Sequence, residues 1–189
     1  IDGYIYDQYS SVHNFSGTAG TPPASLANLA SIDQILNEQK VPMAGRVSFM
    51  NPAAKASMMA IEAVVTAEKR GDGGAALTSA SMGRVMGMDF YGVQGVKAHT
   101  AGSQGGQSGL LVNGTVAAAA TTMNADAAHA AAATLKKGDI FTVAGASGSF
   151  VVTADKTASG SAFTGIAFSP AAPAGGFADN AAITVVGDH

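Results

Sequence analysis

The 189-residue chain contains no cysteine and no tryptophan, only 6% aromatic residues and only 12% charged ones. Each shortage closes off a class of function or of stabilisation. Without cysteine there is no disulfide and no thiolate-ligated metal. Ten Lys and Arg stand against thirteen Asp and Glu, for a net charge of −3. No basic stripe forms, since Lys69-Arg70 and Lys136-Lys137 are the nearest approaches, and a nucleic-acid reader ordinarily presents a basic face. No apolar run nears the roughly 20 residues of a membrane helix. The sequence has no initiator methionine or signal peptide at its start and opens inside a pattern, so a processed product or a fragment is expected.

Among what is present, the 47% hydrophobic share is carried largely by alanine. Alanine buries little area, and burial stabilises roughly in proportion to apolar area. Modest stability in isolation is therefore expected, with neighbouring subunits contributing part of it.

The richest stretch is Met82 to Val96, MGRVMGMDFYGVQGV. Gly83 and Gly87 suit the corners of a tight turn. Met88, Phe90 and Gly92 then fall on one face and Asp89, Tyr91 and Val93 on the other, the period of a half-buried strand. Upstream, Ile1, Tyr4, Ile5 and Tyr9 repeat at helical spacing, and FSGTAGTPP reads as a loop. Leu26, Leu29, Ile32, Ile35 and Leu36 mark a helical face that Pro42 ends; Ser31 and Gln34 offer an alternative start at capping-box spacing. Arg46 to Met50 reads as a strand. Asn51-Pro52 reads as a cap and first residue of a helix carrying Met58, Met59, Ile61, Val64 and Val65 and running to the GDGG loop at 71–74.

Beyond this point the composition shifts. Thr100 to Gly109, TAGSQGGQSG, reads as a linker, and Asn113-Gly114 as a two-residue hairpin turn. The alanine content of Ala117 to Ala133 favours helix, which its threonines and asparagine oppose. Short strands follow at Asp139–Val143, Ser149–Thr153, Ala162–Phe168 and Ala181–Val186, a spacing that suits a small β barrel or sandwich. Gly109 to Val186 is expected to be separable, with Val143, Val151, Ile166, Phe168, Ile183 and Val185 inward; Phe141 and Phe163 are left between core and subunit contact.

Motifs for chemistry are thin. Gly71-x-Gly73-x-x-Ala76 follows a charged helix, whereas a dinucleotide site needs a preceding strand. Arg70-Gly71-Asp72 spells an integrin-binding triplet, but three residues recur often by accident and a plain solvated loop is the better reading. His13, His99, His129 and His189 have no ligand spacing and read as exposed loop or terminal residues. Gly102-Ser103-Gln104-Gly105 only imitates a nucleophile elbow, there is no phosphate loop, and the methionines at 82, 86 and 88 read as packing. Asn14-Phe15-Ser16 and Asn113-Gly114-Thr115 are glycosylation sequons, relevant only in a eukaryotic secretory route.

Several stretches, taken in order, resemble the major capsid proteins of tailed phages, nearest to the coat proteins of short-tailed Salmonella-type phages. They are Tyr9 to Val12, Gly17 to Thr21, Asn51 to Ala54, Met82 to Tyr91, His99 to Gly102, Leu135 to Gly145, Phe150 to Asp155 and Ala182 to Gly187. The resemblance implies an α+β class: the Hong Kong phage-type capsid fold shared with herpesvirus shells. Residues 1–100 would be part of its peripheral and axial domains, 101–109 a linker, and 110–189 an inserted small β-barrel-like domain. The family's amino-terminal arm, extended loop, most of its spine helix and its closing strands have no counterpart.

The implied role is structural, without catalysis, cofactor or metal: a subunit that assembles with copies of itself in pentamers and hexamers into an icosahedral head. Such a subunit meets scaffolding, portal or decoration proteins, encloses DNA without sequence-specific binding, touches no membrane, and goes from the host bacterial cytoplasm into the virion. Arg70, Asp72 and Arg84 are the candidate subunit contacts, the first two in a loop of mixed charge with flexible glycines. An extracellular β-rich binding or adhesion module is the alternative, from the Gly-, Ala- and Ser-rich second half; a serine hydrolase is a third.

Overall fold

A computed structural model of the chain describes residue 4 and residues 7–66 and 79–189. It divides into two units, Ser16–Lys97 and a second made of Gly3–Phe15 with Ala98–His189. The class is mixed helix and sheet.

In the Ser16–Lys97 unit, helix α1 (Leu26–Glu38) starts after Ser25 rather than at Ser31. Asn28 reaches back, its Oδ1 accepting from the Ser25 amide at 3.2 Å and the Ser25 hydroxyl at 2.8 Å. The helix closes before Pro42. Lys40 takes the left-handed conformation (φ 58°), its amide donating to the Asn37 carbonyl and that of Val41 to the Leu36 carbonyl, both at 2.9 Å. This is the paired-bond helix stop, with proline lying outside it.

Strand β1 (Val47–Met50) leads into α2 (Pro52–Met59). The Asn51 side chain accepts from the Ala54 amide at 2.8 Å, and Pro52 loses no intrahelical bond at its position. Asn51→Ala is expected to destabilise this unit by about 1 kcal/mol, read as a lower denaturant midpoint; an unchanged midpoint would mean the cap contributes nothing.

The single helix expected beyond Pro52 is two in the structure, α2 and α3 (Glu62–Val65), broken at Ala60–Ile61 where Ile61 is extended. Met58 and Val64 are both fully buried. On one straight helix, residues six apart point about 120° away from each other, so the break lets both face one core. The expected continuation toward the GDGG loop lies outside the described residues.

Strands β2 (Arg84–Val85) and β3 (Met88–Gly92) form a hairpin. Its two turn residues, Met86 (φ 48°) and Gly87 (φ 81°), are both left-handed, the turn whose twist matches its strands. The sheet order is β1-β3-β2, with β1 parallel to β3. Its inner face supplies Met50, Met88 and Phe90 to a core shared with Leu29, Met58, Val64 and Met82. Of the three methionines read as packing, Met86 alone is exposed, at the hairpin tip.

In the second unit, a 3-10 turn spans Asp7–Ser11 where helical spacing suggested a helix; most of residues 1–6 lie outside the described set. Eight strands follow: β4 (Leu111–Val112), β5 (Thr122–Asp126), β6 (Thr134–Leu135), β7 (Ile140–Val143), β8 (Phe150–Val152), β9 (Lys156–Thr157), β10 (Phe163–Ser169) and β11 (Ile183–Val185). Six form an antiparallel sheet in the order β11-β7-β8-β10-β5-β4. Its two edges nearly meet: Leu111 bridges Ala182, Val112 N–H donates to the Ala181 carbonyl at 2.9 Å, and Ile183 N–H to that of Leu110 at 2.9 Å. The result is a nearly closed barrel, which leaves little free edge. Phe141, Phe150, Phe168 and Phe177 fill it, with ring centroids 5.1 to 5.9 Å apart.

Three expectations for this half are corrected. Residues 101–109 are not a linker but a packed part of the barrel unit. A Cβ on Gly102 would run into the Thr134 carbonyl, and one on Gly105 would meet the Ala101 methyl at 2.5 Å and the Val186 carbonyl at 3.2 Å. These glycines serve close packing, not flexibility. The alanine-rich stretch is centred on β5, because Met123 and Ala125 alternate into the core while Thr122 and Asn124 face out. Asn113-Gly114 does turn the chain, with Gly114 at φ 82°. The connection from β4 to β5, however, runs from 113 to 121 and is pinned midway by the Val116–Phe177 bridge.

Of the six residues expected inward, Val143, Ile166, Phe168, Ile183 and Val185 join the barrel core. Val151 is buried on the opposite face, where it stands across from Ile140; Phe150 and Val152 point into the barrel instead.

Candidate functional site

Two constellations stand out, one in each unit. The first is the outward face of the three-stranded sheet. Strand alternation that buries Met50, Met88 and Phe90 necessarily turns Val47, Phe49 and Tyr91 outward, and these are 47%, 51% and 54% exposed. Phe49 and Tyr91 stand opposite each other in the parallel register with ring centroids 6.1 Å apart. Beside this apolar pair runs a polar row, in which Val47 is opposite Asp89 and Asp89 opposite Arg84. Arg84 is exposed, and its guanidinium donates to the Gly87 carbonyl at 3.2 Å across the hairpin turn. The structure thus places one of the three candidate contacts beside an exposed aromatic pair. The other two, Arg70 and Asp72, lie outside the described residues.

The second constellation is buried. Asp139 is fully enclosed and His99 is 4% exposed. His99 Nε2 lies 2.7 Å from Asp139 Oδ1, and Tyr9 Oη lies 3.3 Å from His99 Nδ1. The Asp139 carboxyl also accepts from the Lys136 amide at 2.8 Å and the Gly102 amide at 3.2 Å. His99 and His189 exchange both backbone hydrogen bonds and hold their rings 4.9 Å apart, while Asp188 accepts from the Ala101 amide at 2.8 Å. The segment running into the barrel and the segment leaving it are thereby tied side by side. Both His99 ring nitrogens have partners, and the arrangement joins segments distant in the chain.

Sequence reasoning missed this group. His99 reads as an exposed loop residue and is in fact buried and bonded on both sides. No local signal marks the pair, since His99 and Asp139 are forty residues apart in the chain. Gln104, in the expected linker, is also fully buried, its Oε1 accepting from the His129 amide at 3.1 Å.

Among the described residues, no group of three or more His, Cys, Asp or Glu could hold a metal ion. No helix among them is long and apolar enough to cross a membrane.

No family model matches the chain, and no curated protein matches it. A solved structure from Mycobacterium phage Che8 superposes with a TM-score of 0.41 at 18% identity, covering 97% of this chain and 56% of that one. The chain therefore spans a little over half the length of that phage protein.

Proposed function

We propose that the chain is part of the major capsid subunit of a tailed phage, a non-enzymatic shell component that assembles with copies of itself in pentamers and hexamers around double-stranded DNA. In this reading Ser16–Lys97 belongs to the peripheral and axial domains of the Hong Kong phage-type fold, and the barrel is its inserted domain. Scaffolding, portal and decoration proteins are the partners it implies, and the virion is its place.

The observation that carries the reading is the ordered set of family-like stretches from Tyr9 to Gly187. Two features of the structure support it. Met82 to Tyr91 forms the hairpin whose outward face carries Tyr91 and Arg84. Leu135 to Gly145 forms the turn and strand that carry Asp139. A repeated subunit also gains stability from contacts between copies, and an exposed apolar strand face beside a charged row suits such a contact.

The test is expression of the complete gene product that contains this chain, followed by gradient sedimentation and negative-stain microscopy of the lysate. Shells or capsomer rings support the proposal. Material that stays at monomer size, or that fractionates with the cell envelope as an adhesion module would, overturns it. Within the same assay, Tyr91→Glu is expected to cut particle yield at least about tenfold, because an unpaired carboxylate in a desolvated contact costs more than about 1.4 kcal/mol. The circular dichroism of the variant should stay that of wild type, since Tyr91 is not part of the core.

A further inference from the structure

The sequence contains a single Asn-Gly pair, Asn113-Gly114, and the structure sets it on the seam where the barrel closes. Such a pair has its own chemistry. Glycine leaves its amide nitrogen unshielded, so that nitrogen attacks the asparagine Cγ. The new C–N bond forms as the Cγ–Nδ2 bond breaks, and ammonia leaves carrying the proton shed by the amide. The resulting five-membered imide is opened by water at either carbonyl, to aspartate or its β-linked isomer. Water is the only co-reactant.

Asn113 is exposed. Together with Gly114 and Thr115 it lines an open hollow of about 300 Å³, whose other walls include Val116, Thr122 and Asn124. Its side chain is therefore open to water. The attacking nitrogen is not free, however. The Gly114 N–H donates to Asp179 Oδ1 at 2.8 Å, and the Asp179 carboxylate is itself held by Asn180 Nδ2 at 3.0 Å. Neighbouring backbone bonds lock this geometry: Asn113 N–H to the Asn124 carbonyl at 3.0 Å and Asn180 N–H to the Val112 carbonyl at 2.9 Å. An amide whose proton is bound by a carboxylate is a poor nucleophile. Losing that proton would set a negative nitrogen against a negative oxygen.

We propose that Asn113 is a modification site gated by the barrel seam, with Asp179 as the positioning residue that withholds the Gly114 amide while the seam is closed. When residues 112–114 and 179–181 part, the amide is released and the imide forms. The carboxylate then left at 113 stands on the strand end that Asp179 grips, and repulsion between the two hinders reclosure. The site converts a transient opening into a lasting charge.

The experiment follows the exchange of amide for acid at Asn113 by peptide mass mapping of the full 189-residue chain, incubated at mildly alkaline pH. The folded chain is expected to react more slowly than the same chain in urea, by roughly fivefold or more, the rate factor that one modest hydrogen bond sets. Asp179→Ala, checked for wild-type circular dichroism, is expected to recover much of that difference. Asn113→Asp should lower the thermal midpoint, and adding Asp179→Asn should restore it. Equal rates in folded and unfolded chains overturn the proposal without recourse to any variant. A folded Asp179→Ala chain that reacts no faster than wild type also overturns it, because Asp179 would then guard nothing.

Discussion

Replacing Asp139 by alanine is expected to lower the stability of the barrel unit by about 3–5 kcal/mol, the range for breaking a buried polar pair by removing one partner. For a unit of about a hundred residues that corresponds to a drop of roughly 12 °C or more in the thermal midpoint. The size follows from what the carboxyl leaves behind. His99 Nε2 and the amides of Gly102 and Lys136 all bond to it in a fully enclosed site, and alanine would orphan each of them. A buried donor without a partner costs its full desolvation penalty. Asp139→Asn keeps the shape and one acceptor oxygen and should fall between the two. Tyr9→Phe, which removes a 3.3 Å contact from a residue 36% exposed, should cost less than about 1 kcal/mol. If Asp139→Ala melted within a degree or two of wild type, the carboxyl would not be holding these segments together.

Arg46→Ala is expected to lower the stability of the other unit by about 3 kcal/mol. Arg46 is 7% exposed and uses its guanidinium as a hub. It donates to Asp33 Oδ1 at 2.6 Å, Asn37 Oδ1 at 2.7 Å and the carbonyls of Val41 and Pro42 at 2.6 and 3.0 Å. Asp33 Oδ2 in turn accepts from Asn37 Nδ2 at 3.0 Å, one helical turn along α1. One side chain thus binds the end of α1, the loop after it and the start of β1. Lysine carries a point charge in place of the planar fork and reaches only some of these acceptors, so Arg46→Lys should recover less than half the loss. Urea unfolding followed by far-ultraviolet circular dichroism reads both variants; a midpoint for Arg46→Ala equal to that of wild type would contradict the hub.

Neither group was legible in the sequence, and for one physical reason. A charged side chain beside a strand, or a histidine among glycines, reads as solvated because burial is its costly state, and only partners distant in the chain reverse that cost. Arg46 finds Asp33 thirteen residues away, and His99 finds Asp139 forty away. Local chemistry, by contrast, was read well. Asn51-Pro52 opens a helix, Gly87 turns a hairpin, and Met88 and Phe90 bury together.

The strands β7, β8, β10 and β11 stand where the sequence placed them, whereas the alternation of β5 was hidden by its alanine-rich surroundings. Phe163 shows the limit. Counting by twos from Ile166 and Phe168 turns it outward, yet it is buried. The register between β10 and β5 shifts between Phe163 and Ile166, at Gly165 (φ 66°). A bulge of this kind resets the alternation. Packed glycines posed the opposite problem in residues 101–109: the same letters spell a flexible tether or a backbone pressed against its neighbour, and only the neighbour decides. As for the outward sheet face, alternation showed that Val47 and Phe49 share a side but not which side meets water.

The backbone exchange between His99 and His189 bears on what it would cost to carry the barrel inside a longer chain. Closing a loop costs entropy that grows with the logarithm of the length left free between its ends. Here that length is not free, because the folded barrel returns residue 189 to residue 99 and pins it there. To any chain on either side, residues 98–189 would count as a link about one strand spacing wide, roughly 5 Å. Residues can be added or lost inside the barrel's loops without lengthening that link. The span that any flanking sequence would bridge is set by two histidines, not by the size of what lies between them.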